Sequence, residues 1–209
     1  MATRKASTKN PTRNGEAILV LSTAREWHAW LRANYARSAG VFLRIARKKQ
    51  GENGLTYESA LEAALAWGWI DSQKRALDER SWLQRFTPRT ARSPWSKINR
   101  AKVEALITRG RMAQPGIAEV DRAKRDGRWE RAYDGAKTAT VPADLAEALA
   151  RNARARAFFE TLNAANRYAI LYRVTTAKRP ETRAKRIATF VAMCAAHETI
   201  HPARKATSK

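Results

Sequence analysis

The chain has 209 residues, 44% of them hydrophobic and 29% charged, with 41 Lys and Arg against 19 Asp and Glu. That length suffices for one domain with a real core or two small ones, and the apolar content excludes an intrinsically disordered protein. The formal net charge of +22 exceeds what solubility requires, so the surface is expected to concentrate polyanions, nucleic acid first and anionic lipid second, unless an Arg- and Ala-rich coding bias supplies the charge without a partner.

The single cysteine, Cys194, excludes an internal disulfide and gives no sign of an oxidising compartment. Its helical spacing predicts a buried, inert thiol. The basic segment from Met1 to Asn14 is followed only by the short apolar run Ala17 to Leu21, too short for a signal-peptide core or a membrane span. A cytoplasmic protein is expected.

Four regions are expected: a disordered basic arm over 1–15, an α+β domain with a β-hairpin over 16–94, a helical domain over 95–200 and a basic disordered tail over 201–209. Ala17 to Leu21 has the apolar run of a short buried strand. Thr23 and Glu26 have capping-box spacing, so a helix starts there. Trp27, Trp30, Leu31 and Tyr35 form its stripe, and His28 falls off it toward solvent. Val41 to Arg47 is a strand with Lys48 and Lys49 at its exposed end, closed by the turn Gly51-Glu-Asn-Gly54. Tyr57, Ala60, Leu61, Ala64 and Leu65 form a second helical stripe, ended by Gly68 in a left-handed conformation.

Ile70 to Leu77 and Ser81 to Thr87 flank Asp78-Glu-Arg80 with the spacing of a hairpin, and Trp82, Gln84 and Phe86 share one face. Pro88 ends the ladder because it lacks an amide proton. From Ser96 onward the pattern is helical. Ser96 is an N-cap for a helix with Ile98, Ala101, Ala105 and Leu106 on its apolar side, ended by Gly110. A further helix spans about 115–126 with Ile117, Val120 and Ala123 inward, followed by a long loop pinned by Trp129 and Tyr133. Helices then open at Val141-Pro-Ala-Asp, at Asn152, over Asn166 to Thr176 and over Pro180 to Ala196, the last burying Ile187, Phe190, Val191 and Cys194. The fold class expected is α+β: a small N-terminal antiparallel sheet with packed helices, followed by an all-helical C-terminal part.

Several blocks carry a family likeness: Gly68-Trp-Ile-Asp71, Arg85-Phe-Thr-Pro-Arg89, Trp95-Ser-Lys-Ile-Asn99, Gly110-Arg-Met112, and Ala177-Lys-Arg-Pro-Glu-Thr-Arg183 with Arg186-Ile187. In this order they resemble the bacterial bacteriocin-protection family, also called YdeI or OmpD-associated proteins, over nearly the whole chain after residue 16. The resemblance implies a role in tolerance of bacteriocins or cationic peptides and an association with an outer-membrane porin. It supplies no catalytic residues. Ala66-Trp67 stands where the family would have Cys-Phe, which removes any thiol chemistry at that point.

Three constellations carry candidate chemistry. His197-Glu-Thr-Ile-His201 matches the H-E-x-x-H zinc motif, but Pro202 follows at once and no third ligand lies downstream, so no metal and no cofactor are expected. Asp71, near Trp69, Ile70 and Gln73, is expected to enter the interior, with Arg85 across the hairpin as its ion-pair partner; a catalytic carboxylate is the alternative. Ser96 opens a helix whose first amides lack acceptors, while Arg89 and Arg92 arrive on the preceding loop and Arg85 on the adjoining strand. With Trp95 and Asn99 they make a candidate anion site. A second cationic group, Lys178, Arg179, Arg183, Lys185 and Arg186, is the candidate nucleic-acid contact.

The function expected is a non-enzymatic, cytoplasmic stress-tolerance protein of the bacteriocin-protection type that binds an anionic partner, with nucleic acid as the first candidate. The alternative is a phosphate or carboxylate binder, or an enzyme, with a pocket around Asp71, Arg85 and Trp95.

Overall fold

In the computed structural model, which describes residues 12–13, 16–47 and 55–202, the chain divides into two units: Met1–Trp95 with Asn99–Arg131, and Ser96–Ile98 with Ala132–Lys209. The first contains β1 (Thr12–Arg13), β2 (Glu16–Leu19), α1 (Ala24–Asn34), β3 (Val41–Ala46), α2 (Tyr57–Ala66), β4 (Trp69–Ala76), β5 (Ser81–Pro88), most of α3 (Lys97–Thr108) and α4 (Gln114–Arg125). The fold is α+β, with the C-terminal part all helical. Apart from Thr12–Arg13, the expected arm lies outside the described residues. So do 203–209 of the tail, Lys48, Lys49 and the turn Gly51 to Gly54.

The four-stranded sheet has the order β2-β3-β5-β4 and is extended at one edge by the two-residue β1. β3 pairs antiparallel with β5, and β5 with β4. β2 joins β3 in parallel, because α1 carries the chain from one end of the sheet back to the same end. Cross-strand partners fix the faces. Val41 opposite Phe86, Leu43 opposite Gln84 and Asp71 opposite Phe86 lie on one face; Phe42 opposite Arg85 and Ile18 opposite Phe42 lie on the other. The first face receives the helices. Trp27 of α1 is fully buried and meets Phe86 at 5.7 Å and Trp69 at 6.3 Å between ring centroids.

Local signals start these helices. Thr23 Oγ1 accepts from the Glu26 amide at 3.2 Å, and Glu26 returns a carboxylate oxygen to the Ser22 amide at 2.7 Å. Thr56 caps α2 in the same way at 3.1 Å. The boundary expected at 94/95 does not coincide with the division of the chain, since α4 and most of α3 cluster with the sheet. The reason is a close approach: the Ala113 amide donates to Ala66 O at 2.9 Å, and a Cβ on Gly116 would lie 2.2 Å from that oxygen. On α3 the buried positions are Val103 and Leu106, whereas Ile98, Ala101 and Ala105 of the expected stripe are exposed.

The second unit contains α5 (Ala143–Ala150), α6 (Ala153–Thr161), α7 (Ala164–Thr175) and α8 (Pro180–Ala195). Asn152 caps α6 through the Ala155 amide at 3.0 Å and Asn163 caps α7 through the Asn166 amide at 2.9 Å. Leu145, Leu149, Phe159, Ile170, Val174, Phe190 and Cys194 make their common core. Burial pushes the Cys194 thiol pKa up and keeps it protonated.

Candidate anion-binding cleft

Asp71 and Arg85 do not pair. Their cross-strand partners put them on opposite faces of the sheet, so the hairpin cannot bring them together. Arg85 reaches Glu16 on its own face with a two-pronged contact, one prong 2.7 Å long, and this hydrogen bonding holds the Glu16 carboxyl below its usual range. Asp71 accepts from the Tyr57 hydroxyl at 2.8 Å. Burial, then this bond, pushes the Tyr57 phenol pKa well up. Gln73 is exposed and accepts from Arg75 at 2.8 Å. The sheet thus separates Asp71 from Arg85, two residues expected to share a pocket with Trp95.

The start of α3 is engaged within the protein. Ser96 is buried and bridges Tyr133, the Lys97 amide donates to Tyr133 O at 2.8 Å, and Lys97 Nζ meets Asp134 at 2.9 Å. Asn99 follows, half-buried, in the first turn. Trp95 is 2% exposed and packs edge-on against Trp129 at 4.8 Å, a core role and not a stacking platform. The Arg89 guanidinium lies 3.6 Å from the Trp95 ring centroid and donates to Pro94 O at 3.1 Å. Arg92 sits exposed on the turn between.

That turn is held from α4 and the loop after it. Arg128, buried at 6% exposure, donates to Ser93 O at 3.1 Å, to Glu119 at 2.9 Å and to Asp126 at 2.8 Å. Burial works against its charge, but the hydrogen bonds it donates to Glu119 and Asp126 outweigh it and leave the guanidinium pKa raised. Arg122 contacts the other Glu119 oxygen and donates to Arg89 O at 3.2 Å. Glu119, also 6% exposed, is thereby neutralised by two guanidiniums.

Beside this hub opens a cleft of about 330 Å³ within the first unit. One wall is Tyr35, Trp67 and Trp69, with Tyr35 and Trp67 rings 5.4 Å apart. The opposite wall is one stripe of α4, Pro115, Ala118, Glu119, Arg122 and Arg125, and Pro88 with Arg89 from the end of β5 completes it. Of the residues expected at an anion site, Arg89 alone lines this cleft. Sequence reading missed Arg122, Arg125, Glu119 and Trp67 as a group. The available signal was the i, i+3, i+4, i+7, i+10 spacing from Pro115 to Arg125, a mixed charged and apolar face beside Val120 and Ala123.

In the second unit, the Arg183 guanidinium meets Asp144 at 2.5 Å and Val174 O at 2.9 Å, and Arg186 donates to Arg173 O. These two close the C-terminal end of α7. Lys178, Arg179 and Lys185 are exposed. The H-E-x-x-H match forms a helix end: His197 sits at φ 60° after α8, its amide donates to Cys194 O and the Glu198 amide to Met193 O, both at 3.0 Å. The His197 ring stacks on Phe158 at 4.8 Å. Among the described residues no group of three or more His, Cys, Asp or Glu could hold a metal ion, and no helix is long and apolar enough to cross a membrane.

An α+β unit with a cationic cleft and a separate helical unit match two different families. Residues 19–119 match a Domain of unknown function (DUF8412). Residues 138–197 match the family described as Bacteriocin-protection, YdeI or OmpD-Associated, so the resemblance seen in the sequence is borne out for the stretch from the loop before α5 to the end of α8. Its extent is narrower than expected. The blocks from Gly68 to Met112 lie inside the first match. Comparison with curated proteins and with solved structures returned no match.

Proposed function

We propose that the chain is a non-enzymatic, anion-binding protein acting in bacteriocin tolerance, and that the cleft beside α4 is where a small anion binds. The observation that carries this reading is the charge of the cleft lining: Arg89, Arg122 and Arg125 against one carboxylate, Glu119, already engaged by Arg122 and Arg128. The low-dielectric wall of indoles strengthens that field. The C-terminal family match supports the tolerance role by its description alone.

Arg125 is the residue to change, since it is exposed and its loss leaves the hub intact. At constant ionic strength, an anion that binds only the native state raises the melting temperature by mass action. A thermal-shift titration with acetate, benzoate and inorganic phosphate should stabilise the wild type with at least one of them, and Arg125→Gln should weaken that response about tenfold or more. No response to any of the three would defeat the reading. Polyanion binding stands as a second proposal, supported by the +22 charge and by exposed Arg92, Lys178, Arg179 and Lys185.

A further inference from the structure

Resting on that reading of the cleft, we propose that its ligand class is an aromatic carboxylate: a planar ring against Trp67 and Tyr35 and a single carboxylate at Arg122 and Arg125. The indoles of the aromatic wall offer surface without hydrogen bonds. The Trp67 indole N–H is committed to His28 Nδ1 at 3.1 Å, and the Trp69 indole N–H to Tyr35 O at 3.3 Å. What these rings can contribute is ring faces and edges, which favour a flat π-system over an aliphatic chain of equal size.

The cationic wall favours a carboxylate over a phosphate. Arg122 has one Nη engaged by Glu119 and Arg89 O, while its side chain stays 43% exposed where it lines the cleft. Arg125, one turn further along the same stripe, adds an exposed guanidinium. Two donors from two arginines match the two oxygens of one carboxylate. A phosphate needs more donors, and backbone amides at a helix start are the usual source. Here α4 does not supply them: Pro115 has no amide proton, and the Gly116 and Ile117 amides both donate to Ala113 O, at 2.9 and 3.1 Å. Glu119 in the same wall also disfavours a dianion more than a monoanion. The cleft volume of about 330 Å³ lies at the small end of ligand sites and suits a one-ring molecule.

The test uses the full chain at constant ionic strength, with thermal shift and tryptophan fluorescence read for benzoate, cyclohexanecarboxylate, acetate, benzamide and inorganic phosphate. Benzoate should bind about tenfold tighter than cyclohexanecarboxylate, and tighter still than acetate or phosphate. Arg125→Gln should weaken every anion, while Trp67→Leu should abolish the preference for benzoate over cyclohexanecarboxylate and leave acetate unchanged. Should Trp67→Leu not fold, the ligand series on the wild type decides alone. Equal binding of benzoate and cyclohexanecarboxylate, or tighter binding of phosphate, overturns the aromatic-carboxylate assignment and leaves the anion cleft standing. No response to any anion, or benzamide equal to benzoate, removes both.

Discussion

His28 accepts the Trp67 indole proton at Nδ1, which requires a neutral ring. Burial, and secondarily the Arg111 charge, lowers its pKa from the ordinary 6.5. The unfolded chain therefore takes up a proton at higher pH than the folded one, and stability from this site is present above about pH 6.5 and is lost as pH falls toward the lowered value. Urea midpoints should fall between about pH 7 and pH 5, and His28→Gln, which keeps an acceptor without titrating, should flatten that slope. An unchanged slope would show that His28 does not link Trp67 to pH. A separate acid limb belongs to Glu16, Asp126 and Asp144, whose pKa values are lowered in the fold, so their stabilisation is lost only below their ordinary values of 4.5 and 3.8. Little of this was legible in the sequence. His28 lies off the Trp27–Leu31 stripe and its partner is 39 residues away; Asp71 finds Tyr57 and Arg85 finds Glu16 by sheet face, which hairpin spacing alone does not reveal.

At the scale of elements, the approach of α4 to α2 rests on one missing side chain. Gly→Ala in an exposed helix gains about 1 kcal/mol. At Gly116 the added carbon would meet backbone, Ala66 O at 2.2 Å, so Gly116→Ala should instead cost about 2–3 kcal/mol. Denaturant midpoints for Gly116→Ala against the wild type check the sign. A gain at Gly116 would mean that α4 moves aside freely. Helix starts were legible because Thr23 and Asn152 act on amides three residues away. The parallel β2–β3 pair and the grouping of α4 with the sheet were not, because each depends on contacts that no local window contains. The antiparallel hairpin β4–β5 fell in between: its turn was readable from Asp78, whose carboxylate accepts from the Arg80 amide and the Ser81 hydroxyl at 2.8 Å, but its bulge between Asp71 and Lys74 was not.

For the whole molecule, the net charge of +22 makes binding to duplex DNA a measurable question. If about five phosphates are neutralised, the log-log salt slope should be near −4.5, with little sequence preference. Lys178→Ala, Arg179→Ala and Lys185→Ala should each reduce that slope by about one. Arg183→Ala should lower stability instead, since it removes the contacts with Asp144 and Val174 O. No binding at low salt would leave coding bias as the source of the charge. The bulged strand bears on the fate of so basic a chain when it is crowded. β4 is the outer strand of the sheet on one side, and Gln84 turns its amide to Ser72 O and Gln73 O at 3.4 and 3.3 Å where the ladder breaks. A bulge and the cations Lys74 and Arg75 make this border a poor template for a neighbouring strand. The border resists sheet-to-sheet polymerisation by shape as well as by charge, so this protection should persist in salt that screens the rest of the surface.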